Sequence, residues 1–117
     1  MKEPSQTADE HDYFFLKINH QVEKIFYKDV LFIEALQNYV AIHLAGKKLI
    51  SYMTLSNMEK QLPKNLFMRI HKSYIVALQK IDMITKNKVT IHNQELPISR
   101  NVKDKLMLAV GSKLVKR

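Results

Sequence analysis

The hydrophobic pattern of the chain indicates short β-strands over most of its length. Apolar, β-branched and aromatic residues collect in short segments, which is typical of strands. The first such segments are residues 13–18, 22–27, 30–35, 39–44 and 49–53. Residues 45–48 have the composition of a turn, so the strands on either side of them are predicted to form a hairpin.

The period of the pattern changes after residue 53 and predicts a short central helix. Its apolar positions are Leu55, Met58 and Leu62. They are spaced i, i+3 and i+7 and so share one helix face. Thr54 or Ser56 can cap the start, and Ser56 with Glu59 fits a capping box. Pro63 is predicted to end the helix.

The second half of the chain is predicted to contain shorter strands and a terminal helix. Strands are predicted within residues 68–78, 81–85, 89–91 and 95–98. Turns are expected at 87–88 and 93–94, and Ser99 offers an N-cap for the last helix. The apolar positions of this helix are Val102, Leu106, Ala109 and Val110. The pattern predicts a mainly β fold of short antiparallel strands, with one central helix and one helix ending near Gly111.

The charge of the chain is strongly positive and unevenly distributed. The 117 residues contain 19 Lys and Arg against 11 Asp and Glu, a net charge of +8. Residues 1–12 contain four acids and one base, which leaves +11 on the remaining residues. We interpret 1–12 as a disordered tail or linker stub, 13–112 as one domain and 113–117 as a basic tail. A compact domain of this charge attracts polyanions such as nucleic acids.

Composition argues against several classes of function. The chain has no cysteine, which rules out disulfides and thiolate metal sites and suits the cytoplasm. With only Gly46 and Gly111, it cannot form a glycine-rich phosphate loop. The histidines have no metal-ligand spacing, and His43 and His92 are interpreted as half-exposed strand residues. No apolar run is long enough for a membrane span, and no metal, cofactor or catalytic residue is predicted.

Glu34 is a charged residue inside an apolar run. A carboxyl group in such a position can be a catalytic acid with a raised pKa. A buried carboxylate paired with a nearby Lys or Arg is the favoured interpretation. An enzyme is therefore disfavoured.

Three polar sites interrupt the apolar segments: 37–39, 71–74 and 99–101. Each could project hydrogen-bonding groups from a rigid β scaffold. An Asn amide can pair with adenine, and Arg or Lys can pair with guanine in the major groove. Ser, Tyr and helix N-termini suit phosphate oxygens. Each site alone could be a solvated turn, but three together on a basic domain favour DNA.

These sites lie in segments that resemble one protein family. Residues 32–40 (FIEALQNYV) and the helix from Met53-Thr54-Leu55 to Leu62-Pro63 look like parts of LytTR-type DNA-binding domains. Residues 67–76 (FMRIHKSYIV) resemble the most recognisable motif of that family, and 96–100 (LPISR) is similar to its last motif. The resemblance covers about residues 13–110 in the right order.

The resemblance implies an elongated fold of small antiparallel sheets that inserts loops into successive major grooves of double-stranded DNA. The base-contacting roles of the family fall on Asn38, Lys72 and Arg100. The remaining candidates would bind the DNA backbone or brace the loops. They are Tyr39, Thr54, His71, Ser73, Tyr74, Asn101 and Lys103. Whether His71 contacts DNA or supports the loop is left open.

The resemblance also implies a context. Such domains regulate bacterial transcription, commonly as effectors of two-component response regulators behind a receiver domain. A receiver domain is expected upstream if this chain is a fragment. The absence of heptads predicts a monomer, and two copies could occupy paired promoter repeats spaced by whole helical turns. The alternatives are a basic RNA-binding module, with Tyr13, Phe14, Tyr39, Tyr52 and Tyr74 as stacking candidates, or a protein-interaction adaptor.

Overall fold

The computed structural model describes residues 7–117, which form ten strands and two α-helices. The molecule measures 51 × 32 × 26 Å along its principal axes. The first half contains β1 (Tyr13–Ile18), β2 (Gln21–Phe26), β3 (Val30–Leu36), β4 (Tyr39–Leu44), β5 (Lys47–Tyr52) and α1 (Leu55–Gln61). The second contains β6 (Phe67–His71), β7 (Tyr74–Ala77), β8 (Met83–Ile84), β9 (Lys88–Ile91), β10 (Gln94–Pro97) and α2 (Lys103–Val110). The predicted mainly β, elongated fold is confirmed.

The strands form three antiparallel sheets within the described residues. The largest has five strands in the order β5-β4-β3-β7-β6, flanked by the hairpin β1-β2 and by the small sheet β10-β9-β8. Strand β3 lies at the centre, and its residues 30–33 are all buried. A strand buried on both faces reads as a continuous apolar run instead of an alternating one.

Two hydrophobic cores pack on opposite faces of the central sheet. Successive side chains of a strand point to opposite faces, so Ile33 joins one core and Phe32 the other. The first core packs β1, β2 and α1 against the sheet, and the second packs the small sheet and α2. In α2 only Leu106 is fully buried, whereas Ala109, a predicted apolar-face residue, is exposed.

The two helices start differently from each other. Thr54 caps α1, because its Oγ1 accepts the amide hydrogen of Asn57 at 3.1 Å. The predicted Ser56–Glu59 capping box is wrong, since both side chains bind Arg69 instead. Ser99 does not cap α2: the helix begins at Lys103 without a side-chain cap, after a turn in which Val102 N donates to Ser99 O.

Replacing Thr54 by alanine is expected to lower the free energy of unfolding by about 1 kcal/mol, because an orphan helix donor loses its acceptor. Urea denaturation measures this change. Thr54→Ser keeps the oxygen and should remain close to the parent protein. An equal loss in both variants would show that the methyl group, not the cap, is what stabilises the helix.

The first described residues pack against the end of β6 that lies away from the β6–β7 turn. Asn65 exchanges two hydrogen bonds with the backbone of Ala8, at 3.0 and 2.7 Å. The amide hydrogens of Tyr27 and Lys28 bond to the carbonyls of Asp12 and Glu10, each at 3.0 Å. Part of the predicted tail, residues 1–6, lies outside the described residues, and the division into tail and domain stays a prediction.

Candidate nucleic-acid interface

Two of the three polar sites lie at the same end of the central sheet. Strands β3 and β7 are antiparallel neighbours, with Glu34 opposite Tyr74. The β3–β4 turn, Gln37–Asn38, therefore lies beside the β6–β7 turn, Lys72–Ser73. Ala35 N donates to Ser73 O at 2.9 Å and ties the second turn to the end of β3.

The third polar site lies next to β6. Ser99 N donates to Ile70 O at 2.7 Å, which holds residues 99–101 alongside the strand that leads into the Lys72 turn. An open groove of about 450 Å³ runs between them, with Lys72, Ser99 and Asn101 in its lining. All three polar sites are thus brought to one edge of the molecule.

The three predicted base-contacting side chains, Asn38, Lys72 and Arg100, are exposed at this edge. Next to Asn38, Gln37 has φ 51°, in the left-handed region that a residue with a Cβ rarely adopts. The same region is occupied at Asn19, His92 and Asn93 in two other hairpin turns, since tight hairpin turns need positive φ. The conformation of Gln37 is therefore set by the short connection between β3 and β4.

His71 braces the turn that presents Lys72. Its Nδ1 accepts the amide hydrogen of Ser73 at 3.1 Å, and its ring centroid lies 5.9 Å from that of Tyr74. With Nδ1 used as the acceptor, the neutral ring carries its proton on Nε2. His71, Ser73 and Tyr74 are all partly buried.

Glu34, His43 and Tyr74 form a polar cluster behind this turn. The predicted Lys or Arg partner of Glu34 is wrong. The Glu34 carboxylate lies 2.9 Å from Nε2 of His43, not beside a Lys or Arg, and the His43 ring stacks on Phe32 at 4.2 Å. Burial, followed by the nearby Glu34 carboxylate, raises the pKa of Tyr74 above its ordinary value. The phenol therefore keeps its proton at neutral pH and can donate a hydrogen bond.

Two tyrosines extend the edge beyond Asn38. Tyr39 pairs with Tyr52 across β4 and β5, and their rings meet edge to face at 5.2 Å. Tyr52 is 74% exposed and lies two residues before Thr54, the cap of α1. The sequence drew attention to Tyr52 only as a stacking candidate, because its place beside Asn38 depends on the register of two strands.

Arg69 was not predicted from the sequence, and it is the most heavily bonded side chain of this edge. Its guanidinium donates to the carbonyl oxygens of His71 and Lys72 and to the side chains of Ser56 and Glu59. The sequence did contain one signal for Arg69, namely an arginine in the interior of an apolar strand. Such a residue is buried only when its charge is paired.

Lys103 is the first residue of α2. Its Nζ donates to the carbonyl oxygen of Lys86 at 3.3 Å, between β8 and β9. The amine is tethered by one neutral hydrogen bond and can exchange it for a phosphate oxygen.

Other kinds of site are not prominent in residues 7–117. In this range no group of three or more His, Asp and Glu side chains is arranged to hold a metal ion. No helix formed by these residues is long and apolar enough to cross a membrane. A larger open cleft of about 1320 Å³ lies between β1, β5 and α1 and reaches Tyr39 and Tyr52 at one end. Its lining has none of the three exposed base-contacting candidates.

The fold and this edge define a mainly β binding domain that presents amide and basic side chains on turns. The family model of the LytTr DNA-binding domain matches residues 20–111. The chain belongs to this family, as its motifs predicted. The family is a DNA-binding domain and not a catalytic one.

Individual relatives agree with this assignment. The sensory transduction protein LytT of Bacillus anthracis is 26% identical over 100 residues, which cover 80% of this chain and 40% of that protein. The protein of the same name from Bacillus cereus is 25% identical over 91 residues, covering 73% of this chain and 37% of the relative. The chain thus spans about two fifths of the length of these relatives.

A solved structure shares the fold. It is that of the LytTr DNA-binding domain of a Bacillus cereus protein assigned as a methyl-accepting/DNA response regulator. The TM-score is 0.70 at 22% identity, over 85% of this chain and 96% of the other.

Proposed function

We propose that this domain reads specific sequences of double-stranded DNA with the three turns at the edge of its central sheet. The observation that carries the proposal is that backbone hydrogen bonds tie two of these segments to strands of the central sheet: Ala35 N donates to Ser73 O, and Ser99 N donates to Ile70 O. Turns that are fixed to a rigid sheet lose little conformational freedom on binding. More of the interaction energy with the base edges therefore remains as affinity.

The proposed base contacts are made by Asn38, Lys72 and Arg100, all of which are exposed. Arg and Lys match the two acceptors of guanine in the major groove, and Asn matches adenine. The long axis of 51 Å exceeds the roughly 34 Å of one helical turn of DNA, so a domain lying with this axis along the duplex would span two successive major grooves.

The proposed backbone contacts surround these residues. Tyr39, Thr54 and Asn101 are exposed donors, and Ser73 lies in the Lys72 turn itself. Tyr52 is proposed as a further backbone contact, because its exposed ring lies next to that of Tyr39. His71 and Tyr74 act as braces. Phosphate contacts of this kind position the protein without reading sequence.

The experiment that tests the proposal is selection from randomised duplex DNA, followed by fluorescence anisotropy at two salt concentrations. Enrichment of one motif, bound well above the unselected pool, is the expected result. Weak, salt-steep binding without a motif would contradict sequence reading and leave a general polyanion binder.

Lys103 is expected to contribute charge and no sequence preference. Lys103→Gln should weaken binding to selected and random duplexes by the same factor and reduce the slope of log affinity against log salt by about 1. Anisotropy titrations across a salt series measure both quantities. A loss confined to the selected site would instead place Lys103 among the base contacts.

RNA binding is the alternative that the exposed aromatics Tyr13, Tyr39 and Tyr52 support. Phe14 weighs against it, because this ring stacks on Tyr27 at 5.2 Å and is partly buried. Competition of the selected duplex complex with single-stranded RNA separates the two functions. Displacement by RNA at concentrations below those of competing duplex would favour the alternative.

The proposed setting is regulation of transcription in the bacterial cytoplasm. The relatives are named as sensory transduction proteins, and this chain covers only part of their length. We therefore propose that the domain is the effector part of a two-component response regulator with a receiver domain. In isolation it is proposed to be a monomer, with two copies binding paired repeats in promoters.

A further inference from the structure

We propose that Arg69 is a positioning residue that fixes the Lys72 turn against helix α1, and that it sets sequence preference through Lys72 without touching DNA. This inference rests on the proposed function. The observation behind it is a single partly buried guanidinium that bonds the turn on one side and the helix on the other.

On the side of the turn, Arg69 bonds two successive carbonyl groups. Its Nη2 donates to the Lys72 oxygen at 2.6 Å, and its Nε donates to the His71 oxygen at 3.3 Å. These contacts hold the two peptide groups that flank the Lys72 Cα. They restrict the direction in which the Lys72 side chain leaves the backbone.

On the side of the helix, Nη1 donates to Ser56 Oγ at 3.0 Å and to Glu59 Oε1 at 3.1 Å. The Arg69 side chain is only 23% exposed, so this charge-assisted pair is partly shielded from water. Arg69 therefore fixes the position of the turn relative to α1. The N-cap of this helix, Thr54, is one of the residues proposed to contact the DNA backbone.

The irregular pairing of β6 with β7 explains why the Lys72 turn needs the hydrogen bonds from Arg69. The pairing of β6 with β7 is irregular between Arg69 and His71, directly before the turn. An irregularity of this kind interrupts the ladder of hydrogen bonds and re-aims the residues that follow. A planar guanidinium with five N–H donors can replace the missing constraint, whereas a lysine ammonium offers three donors and no fixed fork.

Arg69→Lys is the informative substitution because it keeps the charge and removes the fork. We expect affinity for the selected duplex to fall about tenfold, the size expected for losing charged hydrogen bonds, while affinity for random duplex changes little. The base preference altered by Arg69→Lys should be the one altered by Lys72→Ala. Arg117→Lys, at an exposed position, is the matched control and should leave both affinities unchanged.

A double-mutant cycle separates positioning from general destabilisation. If Arg69 acts through Lys72, Arg69→Lys should have almost no further effect on specific binding in the Lys72→Ala protein. Independent, additive losses from the two substitutions would overturn the inference. Urea denaturation of each variant establishes that binding is measured on folded protein.

Amide hydrogen exchange at Ser73 tests the inference without DNA. The Ser73 N–H donates to His71 Nδ1 within the turn, so loosening the turn should speed its exchange in Arg69→Lys and leave the Ile33 amide unchanged. Unchanged exchange at Ser73 would overturn the inference. If Lys72→Ala does not alter sequence preference, the base-reading role of Lys72 fails, and this exchange rate alone decides whether Arg69 fixes the turn.

Discussion

Arg100→Ala is expected to weaken binding to the selected duplex by about 1–3 kcal/mol, a loss of roughly 5- to 150-fold confined to a few base positions. Arg100 is exposed at the start of the turn that precedes α2, and the backbone before it is held by the bond from Ser99 to Ile70. The guanidinium extends from a backbone held in this way and can form two parallel hydrogen bonds to one guanine. Anisotropy on the selected site and on single-base variants of it measures the loss.

Two controls separate geometry from charge at this position. Arg100→Lys keeps the charge and removes the planar fork, so most of the loss in specificity should remain. Arg117→Ala removes the same charge from the C-terminal residue and should weaken all duplexes slightly and equally. Equal losses of Arg100→Ala on selected and random DNA would contradict the base-reading role.

Leu106→Ala is expected to lower the free energy of unfolding by about 2–5 kcal/mol, through lost burial and the cavity left behind. Leu106 has no exposed surface and is the residue by which α2 enters the second core. Its loss should also loosen the 99–101 segment that leads into the helix, and so reduce specific binding. Urea denaturation and anisotropy measure the two effects.

Leu108→Ala is the matched control on the same helix. The Leu108 side chain is 81% exposed, and truncation of a surface residue changes stability by about 0.5 kcal/mol or less. A similar destabilisation by both substitutions would mean that α2 does not pack as described. A stability loss at Leu106 without any effect on specific binding would separate the helix from the function of residues 99–101.

The strands and their order along the chain could be predicted because their signals are local. The apolar runs of 30–33 and 40–42 depend only on neighbouring residues, and Thr54 was correctly included among the possible caps. The three polar sites were also recognisable as interruptions of apolar segments. The structure adds that β3 and β7 are neighbours, which brings two of these sites together.

The errors concern side chains whose partners are distant in sequence. The Ser56–Glu59 pattern fits a local capping box, but Arg69, 13 residues after Ser56, takes both side chains. Glu34 and His43 meet only because of the register between β3 and β4, where His43 lies opposite Phe32 and diagonal to Glu34. Diagonal neighbours across a strand pair interact, yet nothing in a single strand reveals them.

The anchored N-terminal segment places three acidic residues away from the turns that are proposed to contact DNA. Asp9, Glu10 and Asp12 are held at the end of β6 away from the Lys72 turn, while Lys72 and Arg100 are exposed at the other edge. In the field of a polyanion, such a molecule experiences a torque that turns its basic edge forward before contact. More encounters then begin in a productive orientation, whereas neutralising these three acids would raise the attraction to DNA and remove the preference for that orientation.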